Sequence, residues 1–365
     1  MYKSRPKKNM TAFLSILMMV LFLVGCANES NESTETTVTP TNNALLETPY
    51  KDTQFHMGTY VSLQVYDEGK EAVLEEAYNR VVELEEKLSS NQTDTEIAEI
   101  NENAGVQPVE VSEDVMELLI ISSEYSALEN SGFDYTIGAI TDLWRIGFDD
   151  ARVPEPQEID AALPLVDYRK VELDTDNSTV YLTEEGMKLD LGAIAKGYIA
   201  DQIVEIFEES EVTTAIIDLG GNVIVMGDSP NREEGGWNVG VQDPFDERGS
   251  YIGAINIKDK SIVTSGIYER YIEQDGEIYH HLMNPRTGYP FDNNLASVTI
   301  IAEHSTDADG LSTVVFGFGL EEGLEYVNNR EDVEAVFITK DSEVYLSQGI
   351  KDTFNITNEA FTLAN

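Results

Sequence analysis

The chain has 365 residues with 68 acidic and 23 basic side chains, giving a formal net charge of −45. A surface of that charge repels the phosphates of nucleic acids and disfavours nucleic-acid binding. Cys26 is the only cysteine; no disulfide can form within the chain, and no thiol remains for catalysis elsewhere. The four histidines show no zinc-binding spacing, so any metal is expected to use oxygen ligands, as Mg²⁺ and Ca²⁺ do.

The first 25 residues have the pattern of an export signal. Basic residues without an acid precede an apolar run, TAFLSILMMVLFLVG, which is shorter than the roughly 18–20 apolar residues that a spanning helix needs. The tetrapeptide LVGC at residues 23–26 resembles a bacterial lipobox, whose cysteine becomes lipidated. We therefore expect residues 1–25 to be a lipoprotein signal peptide and Cys26 to anchor the protein at the outer face of the cytoplasmic membrane. The alternative is a short N-terminal anchor helix with an incidental cysteine.

Residues 26–48 are rich in Asn, Glu, Ser and Thr and predict a disordered tether, followed by a folded domain over residues 49–365. Apolar residues at helical spacing predict amphipathic helices over residues 70–88 and 113–130. Short segments of alternating or β-branched residues predict strands at 60–66, 214–218, 237–241, 251–257, 267–273, 297–302 and 334–339. Many hairpin-like strands with a few separate helices favour an α+β fold.

Two segments have features of a phosphate or metal site. In LDLGAIAKGY, a strand ends on Asp190 and a turn at Gly192 leads into a helix that continues to about Glu209, so helix N-terminal amides become available to a ligand. In TDADGLST, helical spacing places Asp309, Ser312 and Thr313 on one face. One carboxylate and two hydroxyls form an incomplete Mg²⁺ site, which water, substrate phosphate or a backbone carbonyl can complete; an N-capping cluster is the alternative.

Two further segments end strands in polar turns. The segment YHHLMNPRTG contains His281, whose ordinary pKa lies near working pH and suits a general base, although a lone histidine is more often structural. The segment IDLGGN ends in a Gly pair where the backbone can approach a ligand closely.

Taken together, these motifs identify a resemblance to the ApbE family, the FAD:protein FMN transferases. The likeness extends from about Phe55 to the C-terminus and keeps the family's motif order. The segments that carry it are HMGT at residues 56–59, FDYTIG at 133–138 with LW at 143–144, DLGAIAKGY, DLGGN, TSGIYERY, HLMNPRTG and TDADGLST. The resemblance implies an α+β fold of ApbE type, T-fold-like, with mixed sheets, flanking helices and two closely joined lobes.

The resemblance also implies roles for individual residues. The positions that match the family's FAD contacts are Met57, Asn91, Gly132, Phe133, Asp134, Asp190, Lys196 and Met283. The positions that match its metal ligands are Ala193, through its carbonyl, and Asp309, Ser312 and Thr313. Some relatives have an aromatic residue in place of Asn91 and an aspartate in place of Ser312.

The implied reaction is a Mg²⁺-dependent transfer of FMN from FAD to a threonine or serine hydroxyl of a partner protein, with release of AMP. His281 is the first choice for the base that activates the hydroxyl, and Asp307 is the second. The implied acceptor is an extracytoplasmic flavoprotein with a D-G-x-[ST]-[SGA]-[AS]-T-like segment. Two alternatives stay open: an FAD pyrophosphatase, in which water replaces the hydroxyl, and a flavin-binding lipoprotein without turnover.

Overall fold

The structure is a computed structural model that describes residues 44–365, and these residues belong to one compact unit. The predicted signal peptide, Cys26 and most of the predicted tether lie outside the described residues. Within residues 44–365, no helix has the length and apolar character needed to cross a membrane.

Seventeen strands occur among the described residues, in four sheets. Their bounds are β1 Leu45–His56, β2 Thr59–Asp67, β3 Val109–Glu110, β4 Val171–Asp174, β5 Thr179–Leu182, β6 Ala215–Leu219, β7 Asn222–Met226, β8 Trp237–Gln242, β9 Tyr251–Ile257, β10 Lys260–Gly266, β11 Tyr271–Gln274, β12 Glu277–His280, β13 Leu295–Ala302, β14 Val333–Thr339, β15 Glu343–Leu346, β16 Phe354–Ile356 and β17 Thr362–Leu363. The large sheet has the order β1-β2-β6-β7-β10-β13-β14-β15-β17. The smaller sheets are β16-β9-β8, β3-β5-β4 and β11-β12.

Seven α-helices accompany these strands in the described part of the chain. They are α1 Val73–Leu88, α2 Glu96–Glu102, α3 Glu113–Ser126, α4 Gly138–Trp144, α5 Pro156–Ala162, α6 Ala195–Glu209 and α7 Ser305–Asn328. Helix α7 is interrupted at Gly319, whose positive φ of 77° is not helical. The mixture of antiparallel sheets and separate helices confirms the predicted α+β fold.

The central strands of the large sheet are buried on both faces, and side chains that alternate along these strands enter two different cores. In β10, for example, Val263 belongs to the core shared with helices α1, α6 and α7, whereas Ile262 belongs to a second core beneath the small sheet β16-β9-β8. Ile300 and Ile301 divide between the same two cores in β13. Both cores are built on this one shared sheet, within a single compact unit.

Most predicted elements are observed close to their expected bounds, but two are displaced. The tether was predicted to end at residue 48, whereas β1 already begins at Leu45, which pairs with Asp67, so residues 45–48 belong to the sheet. The strand predicted at residues 267–273 was also wrong in its bounds. β10 ends at Gly266 and a turn follows, in which the Glu269 N–H donates to the Gly266 carbonyl, before β11 begins at Tyr271.

Helices α6 and α7 approach each other closely at Gly197. A Cβ at this position would lie 2.3 Å from the carbonyl oxygen of Ser305, at the start of α7. The absence of a side chain therefore permits the contact that brings the two N-terminal turns together. This contact positions the site described below.

Replacement of Gly197 by alanine should force α6 and α7 apart at their N-termini. Overpacking of this kind costs typically about 1–3 kcal/mol, so we expect a lower unfolding midpoint in urea or on heating. Gly192→Ala is the matched control, because its Cβ would meet only the Asp190 Oδ1 atom, at 3.1 Å. Equal midpoints for the two variants would contradict this account of the helix contact.

Candidate active site

A cleft of about 1060 Å³ lies where the start of α6, the start of α7, the β1–β2 turn and the segment after β12 meet. Its walls include most of the residues singled out from the sequence: Met57, Asn91, Gly132, Phe133, Asp134, Asp190, Ala193, Lys196, His281, Met283, Asp309 and Thr313. Segments that are far apart in the chain are thus brought to one cleft. Asp307 and Ser312 are not among the lining residues.

The carboxylate of Asp309 is buried and lies between α6 and α7. Its Oδ2 accepts a hydrogen bond of 2.9 Å from the Gly197 N–H, and the Lys196 Nζ lies 3.2 and 3.3 Å from its two oxygens. Only 4% of the residue is exposed. A buried carboxylate requires a cationic or hydrogen-bonding partner, and here a lysine and a helix N-terminus provide both.

The donors around Asp309 fit a hard divalent cation. Within residues 44–365 no group of three or more His, Cys, Asp or Glu side chains could hold a metal. Asp309, the Thr313 hydroxyl and the Ala193 carbonyl are oxygen donors in residues that line the same cleft. Such a partial oxygen set suits Mg²⁺, which keeps water or takes substrate phosphate oxygens for its other positions.

The structure gives Ser312 and Asp307 other partners. The Ser312 hydroxyl is fully buried, donates to the Asp309 carbonyl at 2.7 Å and lies 2.7 Å from the Ser265 hydroxyl. Asp307 accepts a hydrogen bond from the Tyr125 hydroxyl. Residues two positions apart on an α-helix point to different sides, so Asp307 does not share the direction of Asp309. The second-choice base therefore lies away from the cleft.

Two further aspartates in the cleft wall are held by local hydrogen bonds. Asp190 accepts from the Thr141 hydroxyl at 2.7 Å and from the Gly192 N–H at 2.9 Å, which fixes the turn that leads into α6. Asp134 accepts from the N–H and hydroxyl of Thr136, and burial nevertheless raises its pKa above the ordinary value. Both carboxylates stabilise the loops that border the cleft.

The β1–β2 turn enters the cleft in an unusual conformation. Met57 has a positive φ of 52°, and its N–H donates to Glu85 Oε1 at 2.8 Å. The other oxygen of Glu85 lies 3.2 Å from His56 Nδ1. Glu85 therefore anchors the turn to helix α1. The sequence indicated only an amphipathic helix over residues 70–88, and nothing in that pattern distinguished Glu85 from the other acidic residues of the helix.

His281 lies in the cleft wall, and its ring is oriented by the backbone. Its Nδ1 is 3.3 Å from the carbonyl oxygen of Arg270, and because a carbonyl only accepts, Nδ1 carries the hydrogen and Nε2 the lone pair. Burial, with the nearby charge of Arg270, lowers its pKa to about 3. The imidazole is therefore neutral at physiological pH with its lone pair on Nε2, but its pKa lies well below the near-neutral value that favoured it as a base in the sequence.

The neighbouring His280 is buried and outside the residues that line the cleft. Its Nε2 lies 3.1 Å from the Phe291 carbonyl oxygen, and burial lowers its pKa to about 4. The unfolded chain binds a proton at this position below about pH 6.5, whereas the folded chain does not until about pH 4. Proton binding therefore favours the unfolded chain below pH 6.5. The free energy of unfolding is unaffected by His280 above that pH and decreases as the pH falls towards 4.

Replacing His280 by glutamine should make folding less sensitive to acid. From the pKa difference, the native histidine costs about 2 kcal/mol of stability at pH 5 relative to neutral pH. We expect the stability difference between the native protein and His280→Gln to change by about that amount between pH 7.5 and 5, in favour of the variant. Parallel urea titrations at the two pH values measure it, and a pH-independent difference would contradict the burial of a neutral imidazole.

Comparisons with known proteins agree with this fold and cleft. A model of the ApbE family matches residues 57–337. The FAD:protein FMN transferase of Klebsiella pneumoniae (strain 342) is 40% identical over 291 residues, covering 80% of this chain and 89% of that protein. The protein of the same name from Treponema pallidum (strain Nichols) is 36% identical over 329 residues, with coverages of 86% and 91%. The crystal structure of the ApbE protein from Thermotoga maritima superposes with a TM-score of 0.76 at 31% identity, covering 83% of this chain and 98% of that one.

These similarities extend over nearly the whole length of the relatives, so they concern the complete fold and its cleft. The protein is therefore an enzyme of the transferase class to which the relatives belong. The chain belongs to the ApbE family.

Proposed function

We propose that this protein transfers FMN from FAD to a threonine or serine hydroxyl of an acceptor flavoprotein, with release of AMP. The observation that carries the proposal is the joining of the Asp190 turn to the Asp309 turn of α7 in one cleft, through the Gly197–Asp309 hydrogen bond. A diphosphate in this cleft meets the Lys196 ammonium group and the N-terminal turn of α6, both of which favour anions. Met57, Asn91, Gly132, Phe133, Asp134 and Met283 supply the remaining walls for FAD.

Asp309, Thr313 and the Ala193 carbonyl are the groups that would hold Mg²⁺. The Ser312 hydroxyl donates to the backbone carbonyl of Asp309 and so helps to position it. When bound, Mg²⁺ supplies positive charge that stabilises phosphate oxygens and the departing AMP. The Lys196 Nζ lies beside Asp309, so the same part of the cleft also carries the positive charge of a lysine.

The bond changes are those of a phosphoryl transfer. The acceptor hydroxyl oxygen forms a bond to the phosphorus on the FMN side, and the bond from that phosphorus to the bridging oxygen breaks. AMP leaves with the electron pair of the broken bond. The hydroxyl proton passes to Nε2 of His281, which its Arg270 contact keeps as a proton acceptor, and then to solvent. Positioning and charge stabilisation should supply most of the rate.

By family resemblance, the acceptor is an extracytoplasmic flavoprotein with a D-G-x-[ST]-[SGA]-[AS]-T-like segment. The basic, apolar N-terminus and Cys26 support a lipid-anchored location at the outer face of the bacterial cytoplasmic membrane. The negative charge of the chain supports a function without nucleic acid.

One experiment separates transfer from its alternatives. The purified protein is incubated with FAD and Mg²⁺, with and without a synthetic acceptor peptide, and the peptide mass and free nucleotides are measured. A mass increase of one FMN on the peptide, with AMP in solution, is the expected result. Release of FMN and AMP without peptide modification indicates a pyrophosphatase, and unchanged FAD in all samples indicates binding alone; either outcome would overturn the proposal.

A further inference from the structure

Part of the cleft extends away from the residues assigned to FAD and Mg²⁺. We call it the β8 arm and define it by Ile216, Asn222, Val223, Val239 and Gly240, all of which line the cleft. It lies along strand β8, beside the face of the large sheet formed by β6 and β7. None of the five residues has a part in the proposed transfer step.

Strand β8 presents its edge to this arm. It is the last strand of the sheet β16-β9-β8 and pairs only with β9. Four consecutive residues, 237–240, line the cleft. Side chains alternate between the two faces of a strand, so a run of consecutive lining residues indicates that the strand borders the cleft with its edge. Alternate N–H and C=O groups of such an edge face away from the paired strand and are open to a further strand.

The floor of the arm is apolar and incompletely covered. Ile216, Val223 and Val239 are half-buried and pack against the core that the small sheet covers. Their neighbours in this core, such as Ile262 and Val241, are almost fully buried. The small sheet therefore stops one strand short of covering the apolar residues beside it, and a fourth strand would remove them from water.

Two polar groups near the arm are buried and unpaired. The Asn222 side chain is 4% exposed, and its Nδ2 has no hydrogen-bond partner among the described residues. The Tyr268 hydroxyl, also in a cleft-lining residue, is likewise buried without a partner in this part of the chain. Buried donors are normally satisfied by protein, water or a ligand, so both groups have unused hydrogen-bonding capacity.

We propose that the acceptor protein binds as an extended segment alongside β8, which converts the three-stranded sheet into one of four strands. The proposal rests on the function proposed above and names the surface that holds the second substrate. A polypeptide fits the arm because its main chain repeats N–H and C=O groups at the spacing of a strand edge, and its alternate side chains cover the apolar floor.

The test uses Val239→Glu, which places a charge on the floor of the arm, and a synthetic peptide with a D-G-x-T segment as the acceptor probe. Burying an unpaired carboxylate beneath the peptide is unfavourable, so KM for the peptide should rise by about tenfold or more, which corresponds to about 1.4 kcal/mol. The Kd for FAD is measured separately by quenching of flavin fluorescence. A loss of FAD affinity equal to the loss of peptide affinity would assign the arm to the dinucleotide and overturn the proposal.

Ile356→Glu provides a matched control. Ile356 lies in β16, at the opposite edge of the same sheet, is also half-buried against the same core, and is outside the residues that line the cleft. We expect its KM for the peptide to remain within about twofold of the unaltered protein. An equal increase in KM for both variants would show that peptide binding is weakened by a general effect on the sheet. That outcome would refute the proposal.

Hydrogen exchange tests strand addition directly, without relying on a variant or on turnover. Amides of residues 237–242 should exchange more slowly when the peptide is added to the FAD-bound protein, while those of β16 should not change. Protection of β8 by FAD alone, or no protection by the peptide, would contradict strand addition. If the unaltered protein neither cleaves FAD nor modifies the peptide, the proposed function fails; if it modifies the peptide and β8 stays unprotected, only the strand proposal fails.

Discussion

Asp309→Asn is expected to reduce FAD turnover by at least about a hundredfold, the scale that removal of a single charge-stabilising group has in other enzymes. The amide keeps an oxygen that accepts the Gly197 N–H but loses the negative charge that a divalent cation requires. FAD affinity should remain measurable, because the other walls of the cleft are unchanged. Steady-state AMP release at several Mg²⁺ concentrations measures the effect, and Asp309→Ala should behave in the same way.

The matched control is Asp307→Asn, two residues earlier in α7. Its carboxylate accepts from Tyr125 and is not among the groups that line the cleft. We expect turnover within a fewfold of the unaltered protein, together with some loss of stability from the weakened Tyr125 contact. Undiminished turnover in Asp309→Asn, or an equal loss in both variants, would refute the assignment of Asp309 to the metal.

His281→Ala is expected to slow transfer about a hundredfold or more, the lower end of the usual contribution of a general base. The Kd for FAD should change far less, because the imidazole is assigned to the proton and not to the dinucleotide. Single-turnover transfer to the peptide and flavin fluorescence titration measure the two quantities. Added imidazole should partly restore transfer in this variant, and equal losses of rate and FAD affinity would count against the base role.

The pH profile provides an independent check on His281. Because its pKa is lowered to about 3, the ring stays neutral at any pH well above that value. The transfer rate should therefore show no decrease near pH 6.5, where an ordinary histidine takes up a proton. A decrease centred there, absent from His281→Ala, would show that the imidazole titrates normally in the cleft.

Much of the site was predictable from the sequence because its residues occur in compact motifs. The segment around Asp190 predicted a strand end, a turn and a helix. The helix is observed, since α6 runs from Ala195 to Glu209. The strand end was wrong, because β5 ends at Leu182 and only an isolated bridge between Ile137 and Lys188 precedes Asp190. The helical spacing of Asp309 and Thr313 placed both on one face, and both line the cleft. Such inferences depend on local geometry, which a short sequence determines.

Contacts between distant segments were not predictable in the same way. The Glu85 contact with Met57, the Thr141 contact with Asp190 and the Arg270 contact with His281 each join parts of the chain that only the tertiary fold brings together. The shared helix face also grouped Ser312 with Asp309 and Thr313 as a metal ligand, whereas its hydroxyl is buried in contact with Ser265 of β10. When a side chain has several possible hydrogen-bond partners, the packing of the complete fold decides which one it contacts.

The length of β1 separates the cleft from the point at which the preceding chain enters the domain. The strand extends over 12 residues from Leu45 to His56, and at about 3.3 Å per residue its ends are roughly 35 Å apart. The cleft borders the far end, at Met57, while the preceding chain joins at the near end. If the protein is anchored through Cys26 as proposed, this separation adds to the reach of the preceding chain, so we expect acceptors whose modified loop stands clear of the lipid surface.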